Sequence, residues 1–121
     1  MIEGTLIAES LRVGTNLENL TLTVRKISRY RVQGTTPDQP DIWTVLEFES
    51  DEPGGRQLAE ALAGVLDQPG WYVDFRSRTE TFVVFPGRIF RYSRGDKAGR
   101  ADAQAYGRQI AIPEPQLDWT V

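Results

Sequence analysis

The apolar positions along this chain keep two different periods, and the changes between them mark out its elements. The first apolar run, TLIAESLRV at 5–13, predicts a strand closed by the turn signal Gly14-Thr15-Asn16. Residues 20–32, LTLTVRKISRYRV, alternate. Leu20, Leu22, Val24, Tyr30 and Val32 fall on one face with Lys26 and Ser28; Thr21, Thr23, Arg25, Arg29 and Arg31 fall on the other with Ile27. That predicts a half-buried strand with a basic outer face. After the loop GTTPDQPD at 34–41, the segment IWTVLEFES at 42–50 predicts a third strand, with Ile42, Leu46 and Phe48 opposed to Glu47 and Glu49.

Over 53–70 the period lengthens. Leu58, Leu62 and Val65 recur at i, i+4 and i+7, one face of a helix that Pro69-Gly70 stops. WYVDF at 71–75 and the two arms of FVVFPGRIFRY at 82–92 return to strand, with turns at Arg76-Ser77-Arg78 and Pro86-Gly87. A second helix covers 95–110, with Asp96 as its N-cap and Ala98, Ala101 and Ala105 as a small-residue stripe toward the sheet. The tail is broken by Pro113 and Pro115 but stays apolar at Ile112, Leu117, Trp119 and Val121. The order β-β-β-α-β-β-β-α predicts a single α+β domain over 1–121. It is expected as a two-layer sandwich with both helices on one face of a mostly antiparallel sheet. The crossover through the first helix is the one connection long enough to return parallel.

The hairpin at 82–92 complicates that picture. If Pro86-Gly87 is a two-residue turn, Val84 lies opposite Ile89, Val83 opposite Phe90 and Phe82 opposite Arg91. Val83, Phe85, Phe90 and Tyr92 then share one face, which should meet the helices, while Phe82, Val84 and Ile89 share the other beside Glu80 and Arg91. Leaving those large side chains in water would forgo roughly 1.5–3 kcal/mol each. The second face therefore needs a cover. Either the tail from Ile112 to Val121 folds across it or a second copy of the chain does, with Phe82, Val84, Ile89 and Arg91 as the expected homodimer interface.

Composition narrows the chemistry. With 121 residues, 40% hydrophobic, the chain can bury one core without staples. It has no Cys, hence no disulfide, thiol nucleophile or thiolate metal site, and no His, hence no imidazole base or usual transition-metal ligand. No metal, cofactor or catalytic residue is expected, and binding is favoured over catalysis. No run approaches the ~18 apolar residues of a membrane span. The acidic opening MIEGTLIAES is unlike a signal peptide, so the expected setting is the cytoplasm, without membrane contact. Twelve Arg against two Lys suggests a GC-rich coding sequence and a bacterial source.

Charge supplies the remaining candidates. Residues 76–100 carry seven basic side chains against Glu80 and Asp96, a balance of +5 in a chain of net charge −3. That overall sign, with no RNP signature, GXXG loop or helix-turn-helix, argues against nucleic acid. In RYSRGDKAGRA at 91–101, a glycine leading into a helix start beside Arg94, Lys97 and Arg100 outlines a cradle for a small anion. It lacks the spacing of a Walker loop or a dinucleotide fingerprint, and the Asp96 carboxylate competes for the same place. Glu47 and Glu49, with Asp51 and Glu52 beyond, read as a solvated face. Asp74 and Glu80 read as partners of the turn arginines Arg76 and Arg78, and Asp102 as a half-buried, paired residue. The expected function is protein–protein binding or self-association. The alternative is a binder of, or enzyme on, a small anionic ligand at the Arg94–Arg100 loop.

Overall fold

In the computed structural model, residues 1–51 and 55–119 are described. Glu52, Pro53 and Val121, which figure in the readings above, lie outside them. β1 (Ile2–Ile7), β2 (Thr23–Arg31), β3 (Ile42–Ser50), β4 (Val73–Arg76), β5 (Glu80–Phe85) and β6 (Arg88–Ser93) form one antiparallel sheet in the order β2-β3-β1-β4-β5-β6. α1 (Gly55–Val65) and α2 (Lys97–Gln109) complete the expected α+β set. β1 is antiparallel to both β3 and β4. The crossover through α1 therefore carries the chain over β1, and β3 and β4 run parallel without touching as a ladder.

The helices lie on opposite faces of this sheet, where the sequence suggested one. The hairpin register is the expected one: Phe82 opposes Arg91, Val83 opposes Phe90 and Val84 opposes Ile89. Phe82 and Val84 join Ile2, Leu6, Phe48, Val73 and Phe75 beneath Leu58, Ala59, Leu62 and Leu66, so α1 covers that face. Val83, Phe85 and Tyr92 pack with Ala103, Ile112, Leu117 and Trp119, so α2 and the tail cover the other. Apolar surface on both sides of β5 is enough to hold a layer on each, giving three layers in place of two. The tail does cross the hairpin, but on the side of Tyr92 and not on that of Phe82.

Specific contacts set strand bounds and faces that differ from those expected. The first strand begins at Ile2 and ends at Ile7, earlier than the 5–13 expected, because the chain then turns through a short 3-10 segment at Ala8–Ser10. There the Glu9 carboxylate accepts from the Thr44 backbone N–H at 2.6 Å and from its hydroxyl at 2.9 Å, serving β3 where β1 leaves off. β2 is an exposed edge and not a half-buried strand. A bulge sits where Val24 opposes Phe48 but Lys26 opposes Glu47. The extra residue reverses the alternation, so Val24 and Ile27 share a face that the unbroken pattern separates.

α2 meets the sheet on a different side from its alanines. Ala98, Ala101 and Ala105 face solvent, while Gly99, Ala103 and Gly107 meet the protein. A Cβ on Gly99 would lie 2.6 Å from the Tyr92 Cβ, and one on Gly107 would lie 2.7 Å from Leu117. The close approach thus uses glycine, one step round the helix from the alanine stripe. Asp102 goes with the alanines and is exposed.

A candidate aromatic and acidic cleft

Of the residues expected to hold an anion, the two arginines are engaged by different segments. Asp96 caps α2, its Oδ1 accepting from the Gly99 N–H at 3.1 Å. Arg94 donates to the Ser77 carbonyl at 3.3 Å, and Arg100 donates to the Trp119 carbonyl at 2.7 Å. Lys97 is exposed. The two guanidiniums are thus spent on different segments, one bracing the β4–β5 turn and the other the tail. Of the expected interface, Phe82 and Val84 are buried under α1, Ile89 is half-buried, and Arg91 is exposed. Arg91 forms a two-pronged pair with Glu80 at 2.6 and 2.7 Å and lies over the Phe82 ring. That pair, not Arg78, is the partner of Glu80, and the Arg91 hydrogen bonds hold the carboxyl below its ordinary pKa.

Away from α2, the second face of the sheet stays open over β2, β3 and β1, and at its border with the tail lies a cleft of about 350 Å³. Trp43, Trp71, Tyr72, Asp74, Gln116 and Asp118 line it, with Thr5 of β1 beside them. Strand alternation puts Tyr72 and Asp74 on this side, the one opposite Val73 and Phe75, and Thr5 is directly opposite Asp74. The two indoles meet with centroids 5.2 Å apart, and Trp43 is further fixed by donating its ring N–H to the Pro40 carbonyl at 2.8 Å.

Buried Gln39 ties the walls together. Its amide donates to the Gly70 carbonyl at 2.9 Å and exchanges hydrogen bonds with the Gln116 amide at 3.0 and 3.2 Å. The Tyr72 hydroxyl donates to the Gln116 carbonyl, and Gln104 of α2 donates to the Leu117 carbonyl at 3.0 Å. Sheet, loop and tail are thus locked around the cleft.

Electrostatically the cleft is one-sided. Two carboxylates line it and, among the described residues, no cationic side chain does. Burial pushes Asp74 up to about 6, against the pull of Arg76, with Asp118 adding to the rise. Arg76 comes no closer than 3.8 Å, so the pair is an attraction of charges without a hydrogen bond. Burial likewise raises Tyr72, helped by Asp74 and Asp118.

Sequence reasoning missed this site. Asp74 read as half of a surface pair, and Trp43, Trp71 and Asp118 lie on segments far apart in sequence. The available signal was WYVDF itself, two large aromatics and a carboxylate within a predicted strand. Glu47 and Glu49 remain on the open face, loosely paired with Lys26 at 3.8 Å and Arg25 at 3.7 Å. Among the described residues no cluster of three or more acidic side chains is arranged to hold a metal ion, and no helix is long and apolar enough to cross a membrane. Comparison with protein-family models, with curated proteins and with solved structures finds no match to this chain.

Proposed function

We propose that this chain is a binding domain whose site is the cleft between the open half of the sheet and the tail. The observation that carries this reading is a desolvated carboxylate, Asp74, held in a rigid aromatic hollow within the volume range of small-molecule sites. Carboxyls raised by desolvation inside a cleft concentrate at functional sites. Nuclear magnetic resonance with a panel of small amines, polyols, amides and carboxylates tests it. Binders are expected to shift the indole N–H signals of Trp43 and Trp71 and to leave Trp119 unmoved. Thr5→Trp, which fills the cleft from an exposed strand position, should abolish the shifts. Indoles unmoved by every member of the panel would remove the cleft as a site.

Self-association is the second reading, and one observation favours it. Val24 and Ile27 are 46% and 63% exposed on a nine-residue edge strand. This contact would use β2, since the face with Phe82 and Val84 is already occupied by α1. Light scattering should then give about twice the 13.6 kDa chain mass, falling to one chain for Ile27→Arg. A single-chain mass at every concentration ends that reading.

A further inference from the structure

The lining of the cleft says more than that something binds there; the inference below rests on the cleft being the site. Three properties of a ligand can be separated: its charge, its body and its hydrogen-bonding capacity. Charge is set by Asp74 and Asp118, which face the cleft without a lining base. An anion entering would meet two like charges, and a neutral ligand would leave Asp74 with Arg76 alone, at 3.8 Å and without a hydrogen bond.

The body is set by Trp43, Trp71 and Tyr72. Indole and phenol rings offer both apolar area and a negative π-face, which attracts a cation within about 6 Å. Among the described residues, the Arg–aromatic contacts are at Phe82, Phe90, Tyr106 and Trp119, all outside this lining. Trp43 and Tyr72 are half-buried and keep part of their rings for a ligand's charge, with the more buried Trp71 packed behind Trp43.

Hydrogen-bonding capacity makes the last distinction. Among the described residues, apart from Asp74's own backbone N–H, no hydrogen bond ends on its carboxylate. Arg76 stays at 3.8 Å, and Thr5, opposite it in the sheet, does not donate to it. A carboxylate has about four acceptor positions. A quaternary ammonium has the right charge and no N–H, so it would displace water from Asp74 and leave those positions empty. A protonated primary amine brings three donors.

We infer that the cleft takes the protonated amino group of a small alkylamine, its N–H donors on Asp74 and its carbon chain against Trp43 and Trp71. The amine can belong to a free metabolite or to a lysine side chain, since both present the same head and stem. The groups around Asp74 are Arg76 on its own strand, Thr5 on β1, Tyr72 next to the strand, and Asp118 on the tail.

The test uses the full chain near pH 8 with n-butylammonium, tetramethylammonium, 1-butanol and butyrate, plus an acetyl-lysine amide with a free side chain to represent the peptide source. Binding is read at the Trp43 and Trp71 indole signals. The expected order places n-butylammonium first, with tetramethylammonium weaker and butanol and butyrate without effect. Asp74→Asn should lower the n-butylammonium affinity by roughly tenfold or more, because it removes a charge-assisted hydrogen bond. The lysine derivative binding better than butylammonium assigns the site to a protein partner, and the reverse assigns it to a free amine. Butanol or butyrate binding as well as the amine, or an Asp74→Asn variant that keeps full affinity, overturns the inference while leaving the cleft as a site. Silence from the whole panel overturns both.

Discussion

Asp74 also sets a pH dependence of stability that needs no ligand. Its carboxyl titrates near 6 in the folded chain against 3.8 in the open chain. Between those values the folded state holds a proton that the unfolded state has lost, so stability falls as pH rises through that window. Above it the full cost of about 3 kcal/mol is in force. Asp74→Asn should therefore be more stable than the parent at pH 8, by up to that amount, and close to it at pH 4. Chemical denaturation at the two pH values checks this; an equal difference at both would mean that the substitution acts through packing and not through charge. Such a residue was legible by type in the sequence, as an acid between aromatics. Its desolvation was not, because the cleft around it is lined by Trp43 of β3 and by Gln116 and Asp118 of the tail, all distant in sequence. Asp96, by contrast, was readable in full, since a helix cap is decided by neighbours within one turn.

At the level of elements, α2 shows how a short-range pattern can be right in kind and wrong in phase. A small-residue stripe was expected and exists, but on Gly99, Ala103 and Gly107. Glycine weakens a helix by about 1 kcal/mol relative to alanine, so judged on propensity alone Gly99→Ala should stabilise. Judged on packing it should do the opposite. The new Cβ would fall 2.6 and 2.7 Å from the Cβ and Cγ of Tyr92, atoms fixed by β6 and unable to swing aside. Overpacking of this kind costs typically 1–3 kcal/mol. Gly99→Ala is expected to lower the melting temperature while Ala101→Ser, on the solvent side, leaves it nearly unchanged; a rise for Gly99→Ala would place the helix farther from the sheet. The β2 bulge escaped the sequence for a related reason. Alternation predicts faces only while the register is unbroken, and nothing in LTLTVRKISRYRV announces that Arg25 is the extra residue.

For the whole molecule, element order and class were legible because six period-2 segments and two longer-period ones are separated by clear turn signals. The layer arrangement was not. The double-sided apolar content of FVVFPGRIFRY was recognised as needing two covers. Only the tertiary structure assigns α1 to one side and α2 with the tail to the other. Strand order escaped as well, since nothing local tells Ile2–Ile7 to lie between the third and fourth strands. That placement has a consequence in time. β1 is made before both of its neighbours, which begin at Ile42 and Val73. Until synthesis reaches Arg76, the β2–β3 hairpin has no ladder joining it to the strands that follow, and β1 has only one of its two partners. β1 is thus a keystone that must wait, its apolar Ile2 and Leu6 exposed or loosely paired, until the chain through Arg76 has been made.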